Sequence, residues 1–574
     1  MAEQDLVLVH APSVYDFRKE FLFYGPVSDL VPSTPVFEMY PFGFMTIAAH
    51  LHRLGYKVRI VNLASMMLND PDLDVEAFLG RIKSKVFGLD LHWLPHAHGA
   101  LAIAEIIRRL HPGSKILFGG YSSTYYHQEL ILYPQVDLIL KGDSTEAPVA
   151  ELLEALEEGD ELNKVRNLTW KDERGVHSNP ISYVPEDLDY LDIDYGWMIR
   201  SVIRHRDLEG HKPFKDWDRY PLTAAFTVRG CAQKCLVCGG CNAAMRGFLC
   251  RQRPAFRSPE QVAQDIKHIE DYLKAPTFVV GDVRAGGMKY AEKFFSEVKK
   301  LRIENPVVLE LFTPADKWFF ERASSSFQRY SIEFSPDSHD ERVRYALGRR
   351  FDTPSLEKSV QLALENGCER FDIFFMIGLP QQNRDSALDS ARYAKRLHEI
   401  TSHDMRLLVF ESPLAPFLDP GSYAFEHPDE VGYRLFARTL EEHRMRLASP
   451  SWKHVLSYET VWMTRDEIVE TSYDAADALN LARHECGLID KEELKCRMER
   501  TDQARQMMRD IDRALSSGDE SFRAKMLEEL RERGRELMES TICRKRDLEW
   551  QSPGIVRSVP RAVMGLIKEK KRKR

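Results

Sequence analysis

Eleven short runs rich in Val, Ile and Leu recur along the chain up to Pro413, and helical patterns separate most of them. Five lie in the first part: DLVLVHAP from Asp5, YKVRIVNLA from Tyr56, KVFGLDLHW from Lys85, KILFGG from Lys115 and VDLILKG from Val136. Helical segments such as FGFMTIAAHLHRLG and HGALAIAEIIRRLHPG lie between them. Apolar strands alternating with helices dictate a parallel sheet covered on both faces. This first series predicts a doubly wound α/β domain over residues 1–165, with its ligand at the carboxyl ends of the strands. The loops there are small or polar: Gly119-Gly120-Tyr121-Ser122-Ser123 and Gly142-Asp143-Ser144-Thr145-Glu146. Such loops let a backbone approach a large ligand closely.

Residues 166–215 read as a linker, with a small hairpin turning at Arg174-Gly175. The second series spans residues 216–425. Its strands are AAFTVRG, TFVVGDVR, PVVLELFTP, YSIEFSP, RFDIFFMIGLP and MRLLVFESP. Six strands with helices between them predict a partial parallel β/α barrel, whose chemistry sits at the carboxyl end. Ser258 is the expected cap of the first helix of this series, with Pro259 in its first turn. Residues 426–574 read as an α-helical, charged region with no evident chemistry, ending in PRAVMGLIKEKKRKR. That basic tail reads as a solvated, frayed end, with a weak contact to an anionic membrane surface, at about 1 kcal/mol per basic residue, as the alternative.

The chain has 574 residues, 43% hydrophobic and 29% charged, which fits a soluble globular protein of several domains. A net charge of −8 gives no reason to expect a nucleic-acid partner. No apolar run reaches transmembrane length. MAEQDLVLVHAP lacks the basic region and long apolar stretch of a signal peptide, so a reducing cytoplasm is the expected location, with the tail allowing peripheral membrane contact.

Five of the nine cysteines crowd between Cys231 and Cys250. A cluster in a long chain reads as metal binding, not as a disulfide framework. Cys231, Cys235 and Cys238 follow the first strand of the second series with Cys-x3-Cys-x2-Cys spacing. A structural zinc site needs four ligands, normally from two spaced pairs. Three thiolates in one loop can instead take three corners of a cubane cluster and leave one iron open. A zinc knuckle using Cys241 or Cys250, and plain buried thiols, are the alternatives. Cys368, Cys486, Cys496 and Cys543 lie singly and read as ordinary thiols.

Arg229-Gly230-Cys231 and the spacing that follows resemble the radical SAM superfamily, in particular members with an N-terminal cobalamin-binding domain. The resemblance covers roughly residues 1–425. It implies that Cys231, Cys235 and Cys238 hold a 4Fe-4S cluster whose open iron chelates S-adenosylmethionine (SAM). It further implies reductive cleavage of SAM to a 5′-deoxyadenosyl radical that removes an unactivated hydrogen. Gly239, Gly240, Glu333, Ser335 and Gly378 match the segments that contact SAM in that family. PFGFMTIAAHLHRLGYKVRIVNL and Gly119-Gly120 resemble its cobalamin domain, which implies cobalamin contacts at Gly119, Gly120, Ser122, Ser123 and Glu146. DLHWLPHAHG carries Asp90, His92, His96, His98 and Gly99 but not the Asp-x-His-x-x-Gly signature, which members of this subgroup commonly lack. Two positions depart from the family: Val237 replaces an aromatic residue, and Cys241 stands where many members have an acid after Gly-Gly.

The activity this implies is cobalamin-dependent methylation of an unactivated carbon, with radical coupling or cyclisation as the alternative. An iron–sulfur sensor or scaffold, with Cys241 as a fourth ligand, is the non-enzymatic reading. The implied partners are a small or lipid-like substrate and an electron donor such as flavodoxin or ferredoxin. SPLAPFLDPGS, from Ser412, resembles members with lipid-like substrates.

Overall fold

The computed structural model describes residues 3–20, 23, 34, 36–534, 545–550, 552 and 554–572. Cys543, Lys573 and Arg574 lie outside the described residues.

Strands β1 (Gln4–His10), β2 (Val58–Asn62), β3 (Ser84–Asp90), β4 (Lys115–Gly119) and β5 (Leu138–Leu140) form a parallel sheet. The hairpin of β6 (Leu168–Asp172) and β7 (Gly175–Ser178) does not stand apart. It pairs antiparallel onto β5, giving seven strands in the order β2-β1-β3-β4-β5-β6-β7. Both faces are covered, as continuous apolar strands require. Leu6 and Leu8 pack with helices Gly43–Arg53 and Glu146–Glu158, while Val7 and Val9 pack with helix Ala97–Leu110.

The second sheet is built from β8 (Thr223–Phe226), β11 (Thr277–Val280), β12 (Val307–Leu311), β13 (Tyr330–Asp337), β14 (Phe371–Ile377) and β15 (Leu407–Pro413). All six are parallel and adjacent in chain order from β8 to β15. No pairing joins β15 to β8 among the described residues, so the barrel is partial. A short antiparallel pair, β9 (Val228–Arg229) with β10 (Ala255–Phe256), sits just before and after the cysteine loop. The Ser258 side chain accepts from the Gln261 amide at 3.3 Å and caps helix Pro259–Tyr272 as expected.

The described residues beyond Ser422 pack on both units: helix Leu440–Leu447 lies against helix Ala97–Leu110 of the first. β16 (Tyr433–Leu435) and β17 (Tyr458–Thr460) form a small antiparallel pair. Helix Arg465–Glu485 packs on helix Arg384–Ile400 and on β15, and Arg483 donates to the Val409 carbonyl at 2.6 Å. At the amino end of β14, Arg370 donates to the carbonyls of Glu549 and Asp547 and lies 4.4 Å from the Trp550 ring centroid. The chain then returns across the molecule as helix Val559–Arg572.

Candidate active site

A cavity of about 950 Å³ lies between the two sheets. That is at the upper end of volumes for small-molecule and cofactor sites. One wall is the carboxyl edge of the first sheet, with Gly88, Gly119, Gly120 and Gly142. The opposite wall is the start of the barrel, with Phe226, Val280, Arg229 and Gly230. Gly230 immediately precedes Cys231, so the cavity ends beside the cysteine loop.

Gly119 and Gly120 lie on this wall as expected. Gly120 has φ +116°, and a Cβ there would sit 2.3 Å from the His92 Cα, so glycine is demanded by backbone packing. Ser122 and Ser123 are buried beneath the wall and do not line the cavity; Tyr121 does. The Ser123 hydroxyl donates to the Gly119 carbonyl at 3.1 Å and so braces the glycine turn.

Glu146 also lines the cavity, but its carboxylate is engaged by protein. It accepts from Arg229 Nη1 at 2.9 Å and Nη2 at 2.5 Å, and from Thr46 Oγ1 at 2.7 Å. Burial alone would raise its pKa; the Arg229 guanidinium outweighs burial and holds it at about 2. A second arginine repeats the arrangement: Arg251 Nη2 donates to Asp143 at 3.0 Å and its Nη1 to the Pro185 carbonyl at 3.0 Å. The acidic loop after β5 is thus a latch that holds the first domain onto both flanks of the cysteine loop.

His92 faces the cavity, with Nδ1 2.6 Å from Asp90 Oδ2. Asp90 Oδ1 is 2.9 Å from His10 Nδ1, and His10 Nε2 is 3.0 Å from the Phe37 carbonyl. Against its burial, contacts with His10 and His92 hold the Asp90 carboxyl well below the usual range. His10, Asp90 and His96 bring ligand atoms within 4.8 Å of one another. Both His10 nitrogens already face acceptors, so the group reads as a hydrogen-bonded post behind His92.

The cysteine loop is held from three sides. The Gln233 and Gly240 amides donate to the sulfurs of Cys231 and Cys238, each at 3.3 Å. The Leu236 amide donates to the Leu347 carbonyl at 3.0 Å. Gly348, with φ +102°, packs so closely that a Cβ would lie 2.3 Å from the Lys234 carbonyl oxygen. Arg349, fixed to Asp337 at 2.7 Å, supplies positive charge beside the thiols. The third support is Asp419: it accepts from the Gly239 amide and from Trp93 Nε1 of the first domain, both at 2.9 Å.

Burial raises the thiol pKa of Cys231, pushes Cys235 up to about 11 and lifts Cys238 well above its ordinary value. Arg349 opposes burial at Cys231 and Cys235 without overcoming it. Cys235 is buried, Cys231 half-buried and Cys238 exposed; thiols held neutral in this way would need a cationic ligand to drive off their protons. No cysteine belongs to a group of three ligand atoms within 4.8 Å among the described residues. One zinc ion would draw its thiolates to about 3.8 Å, whereas a cubane cluster spaces them more widely. Cys241 is buried in the same loop, and its amide donates to the Cys238 carbonyl at 3.2 Å.

Along the lumen, Glu310, Glu333 and Asp372 are register neighbours on β12, β13 and β14. Ser335 Oγ donates to Glu333 at 3.4 Å. Gly378, φ +96°, ends β14; its amide donates to Gln382 Oε1 and its carbonyl accepts from Tyr433, each at 2.8 Å. Arg349, Asp419 and the Arg229 and Arg251 latch were not identifiable from the sequence. Their partners lie 83 to 326 residues away in the chain or carry no motif.

Residues 30–151 match the B12 binding domain family. The chain is 28% identical over 235 residues to the anaerobic magnesium-protoporphyrin IX monomethyl ester cyclase of Synechocystis sp. (strain ATCC 27184 / PCC 6803 / Kazusa), covering 40% of this chain and 43% of the relative. It therefore spans less than half the length of that relative. Among solved structures it resembles the radical S-adenosylmethionine methyltransferase TsrM from Kitasatospora setae, with cobalamin and a 4Fe-4S cluster bound. There the TM-score is 0.58 at 13% identity, covering 93% of this chain and 99% of that one. It also resembles the cobalamin-dependent S-adenosylmethionine radical enzyme OxsB with aqua-cobalamin bound, at TM-score 0.53 and 12% identity over 100% and 81% of the two chains. At these identities the likeness is one of fold: a cobalamin-domain sheet joined to a partial parallel barrel.

Proposed function

We propose that this chain is a cobalamin-dependent radical SAM enzyme that methylates an unactivated carbon. The observation that carries the reading is the single cavity running from the carboxyl edge of the first sheet to Gly230, beside the three thiols. Cys231, Cys235 and Cys238 would hold the 4Fe-4S cluster. Gly119, Gly120 and Gly142 would let the backbone approach the cobalamin ring, and His92 lines the same cavity. Gly239, Gly240, Glu333, Ser335 and Gly378 would contact SAM. When bound, these groups supply one-electron cleavage of SAM and a transferable methyl group.

The protein's own work is positional. The Arg229–Glu146 and Arg251–Asp143 pairs fix the distance between the two cofactor walls. Apolar residues such as Phe226 and Val280 keep water from the reacting carbon. The described cysteines are free, as a reducing cytoplasm would keep them, and flavodoxin or ferredoxin is the class of donor that the cluster needs. The similarity to a cyclase favours a second reading: radical ring closure or coupling in the same cavity without methyl transfer.

The test is anaerobic reduction of the reconstituted protein with SAM. The account expects 5′-deoxyadenosine from the wild type and from Cys241→Ala. None is expected from Cys231→Ala, Cys235→Ala or Cys238→Ala. An intact, reducible cluster that releases none, with or without candidate substrates, overturns it.

A further inference from the structure

The third wall of the cavity is the C-terminal segment. Ile555, Val559, Ala562, Val563 and Leu566 line it. The inner side of helix Val559–Arg572 is fixed to helices Tyr195–His205 and Pro259–Tyr272. Arg200 Nη1 donates to Glu569 at 2.5 Å, Lys568 pairs with Asp271 at 3.1 Å, and Gly565 lies against the Tyr272 ring. The outer side is apolar and uncovered. Val556 is 79% exposed, Val559 55%, Val563 52%, Met564 54% and Ile567 46%. Val559, Val563 and Ile567 recur every four residues and share one helix face, with Met564 beside them and Val556 in the turn before the helix. Ile203 and Leu208 join them, both exposed and both on the cavity wall. Val559, Val563, Ile203 and Leu208 are therefore cavity lining and outer surface at once, and they mark its mouth.

Charge identifies what covers this face. From Val559 to Arg574 the chain carries seven Lys or Arg and one Glu, in a protein of net charge −8. Exposed Arg204 and Arg206 flank Ile203 on the other side of the mouth. A second copy seated two-fold on the stripe would bring the same basic run against itself. Arg561 and Lys568 pair with Glu304 and Asp271, while Lys570 is exposed; an apolar helix face with Lys570 on its helix and Arg204 and Arg206 across the mouth suits an anionic bilayer surface. No described helix is long and apolar enough to cross a membrane, so the contact is peripheral.

We propose that this face docks on an anionic lipid bilayer and opens the cavity mouth to the lipid, so that an apolar chain enters the site from the membrane. The docking stands by itself; the identity of what enters rests on the proposed function.

The test is sedimentation of the reconstituted full-length protein with vesicles. One set is equal parts phosphatidylglycerol and phosphatidylcholine, the other phosphatidylcholine alone. The expected result is at least roughly tenfold more bound protein on the anionic set, falling as salt rises. Val556→Asp with Met564→Asp, neither on the cavity wall, abolishes binding, and Lys570→Glu weakens it. Thermal midpoint and iron content are measured alongside to show that the variants fold. Equal partitioning onto both sets, or none onto either, overturns the proposal. So does a dimer in solution that the Val556→Asp, Met564→Asp variant dissociates. Sedimentation needs no turnover, so its failure leaves the proposed reaction standing, and absence of 5′-deoxyadenosine leaves the docking standing.

Discussion

Cys235 is buried, Cys231 half-buried and Cys238 exposed, and all three thiols resist ionising in a loop whose amides already point at two of the sulfurs. Replacing any one with Ala is expected to lower iron content to background after desalting, whereas Cys241→Ala retains it; iron analysis of the four variants checks this. Loss of iron from Cys241→Ala to the same extent would favour the fully ligated sensor. A second residue-scale prediction concerns Glu411, a buried residue of β15. Burial pushes its carboxyl up to about 8, with Ser390 as its one hydrogen-bond partner among the described residues and Oε1 unsatisfied. Its folded pKa lies above its unfolded value, so the stability it contributes is complete below the unfolded pKa. That stability is lost as pH rises toward about 8. Glu411→Gln is expected to flatten that decline, with a gain on the order of 5 kcal/mol at the alkaline end. Parallel denaturation curves for both proteins across the range would refute it.

At the scale of elements, the strands were legible because apolar runs of this length serve either face of a covered sheet. Partners across the chain were not. The hairpin of β6 and β7 reads as a hairpin, yet nothing in its residues says that it extends the first sheet. Glu146 looks the same in sequence whether it meets a ligand or an arginine 83 residues later. In the fold it anchors the latch, and this sets a prediction. Glu146→Gln or Arg229→Met leaves one buried charge unpaired, at a cost of about 3–5 kcal/mol. The double variant is expected to cost less than the two singles together, as a double-mutant cycle in denaturant will show. Asp419 belongs to the same scale, since it joins Trp93 to the cysteine loop. Asp419→Ala is expected to speed iron loss to a chelator with all cysteines present, and Asp419→Asn to fall between it and wild type. Equal rates in all three would remove Asp419 from the support of the loop.

Over the whole molecule, two alternating series could be read from the sequence as two parallel-sheet units, and the cysteine spacing placed the chemistry at the start of the second. What the sequence left open was how the units face each other. That depends on ion pairs between distant residues and on a C-terminal helix whose amphipathic pattern names no partner. Ile555 to Leu566 came from a region without evident chemistry, and the fold makes it a wall of the site. The proposed function stands on one chain bringing a cavity of about 950 Å³ to the three thiols proposed to hold the cluster. The most direct measurement is anaerobic: reconstitute with iron, sulfide and hydroxocobalamin, desalt, and determine iron and cobalt on the same sample. The account predicts about four irons and one cobalt per chain. Iron retained with no cobalt would contradict it and move the reaction to closure or coupling without methyl transfer.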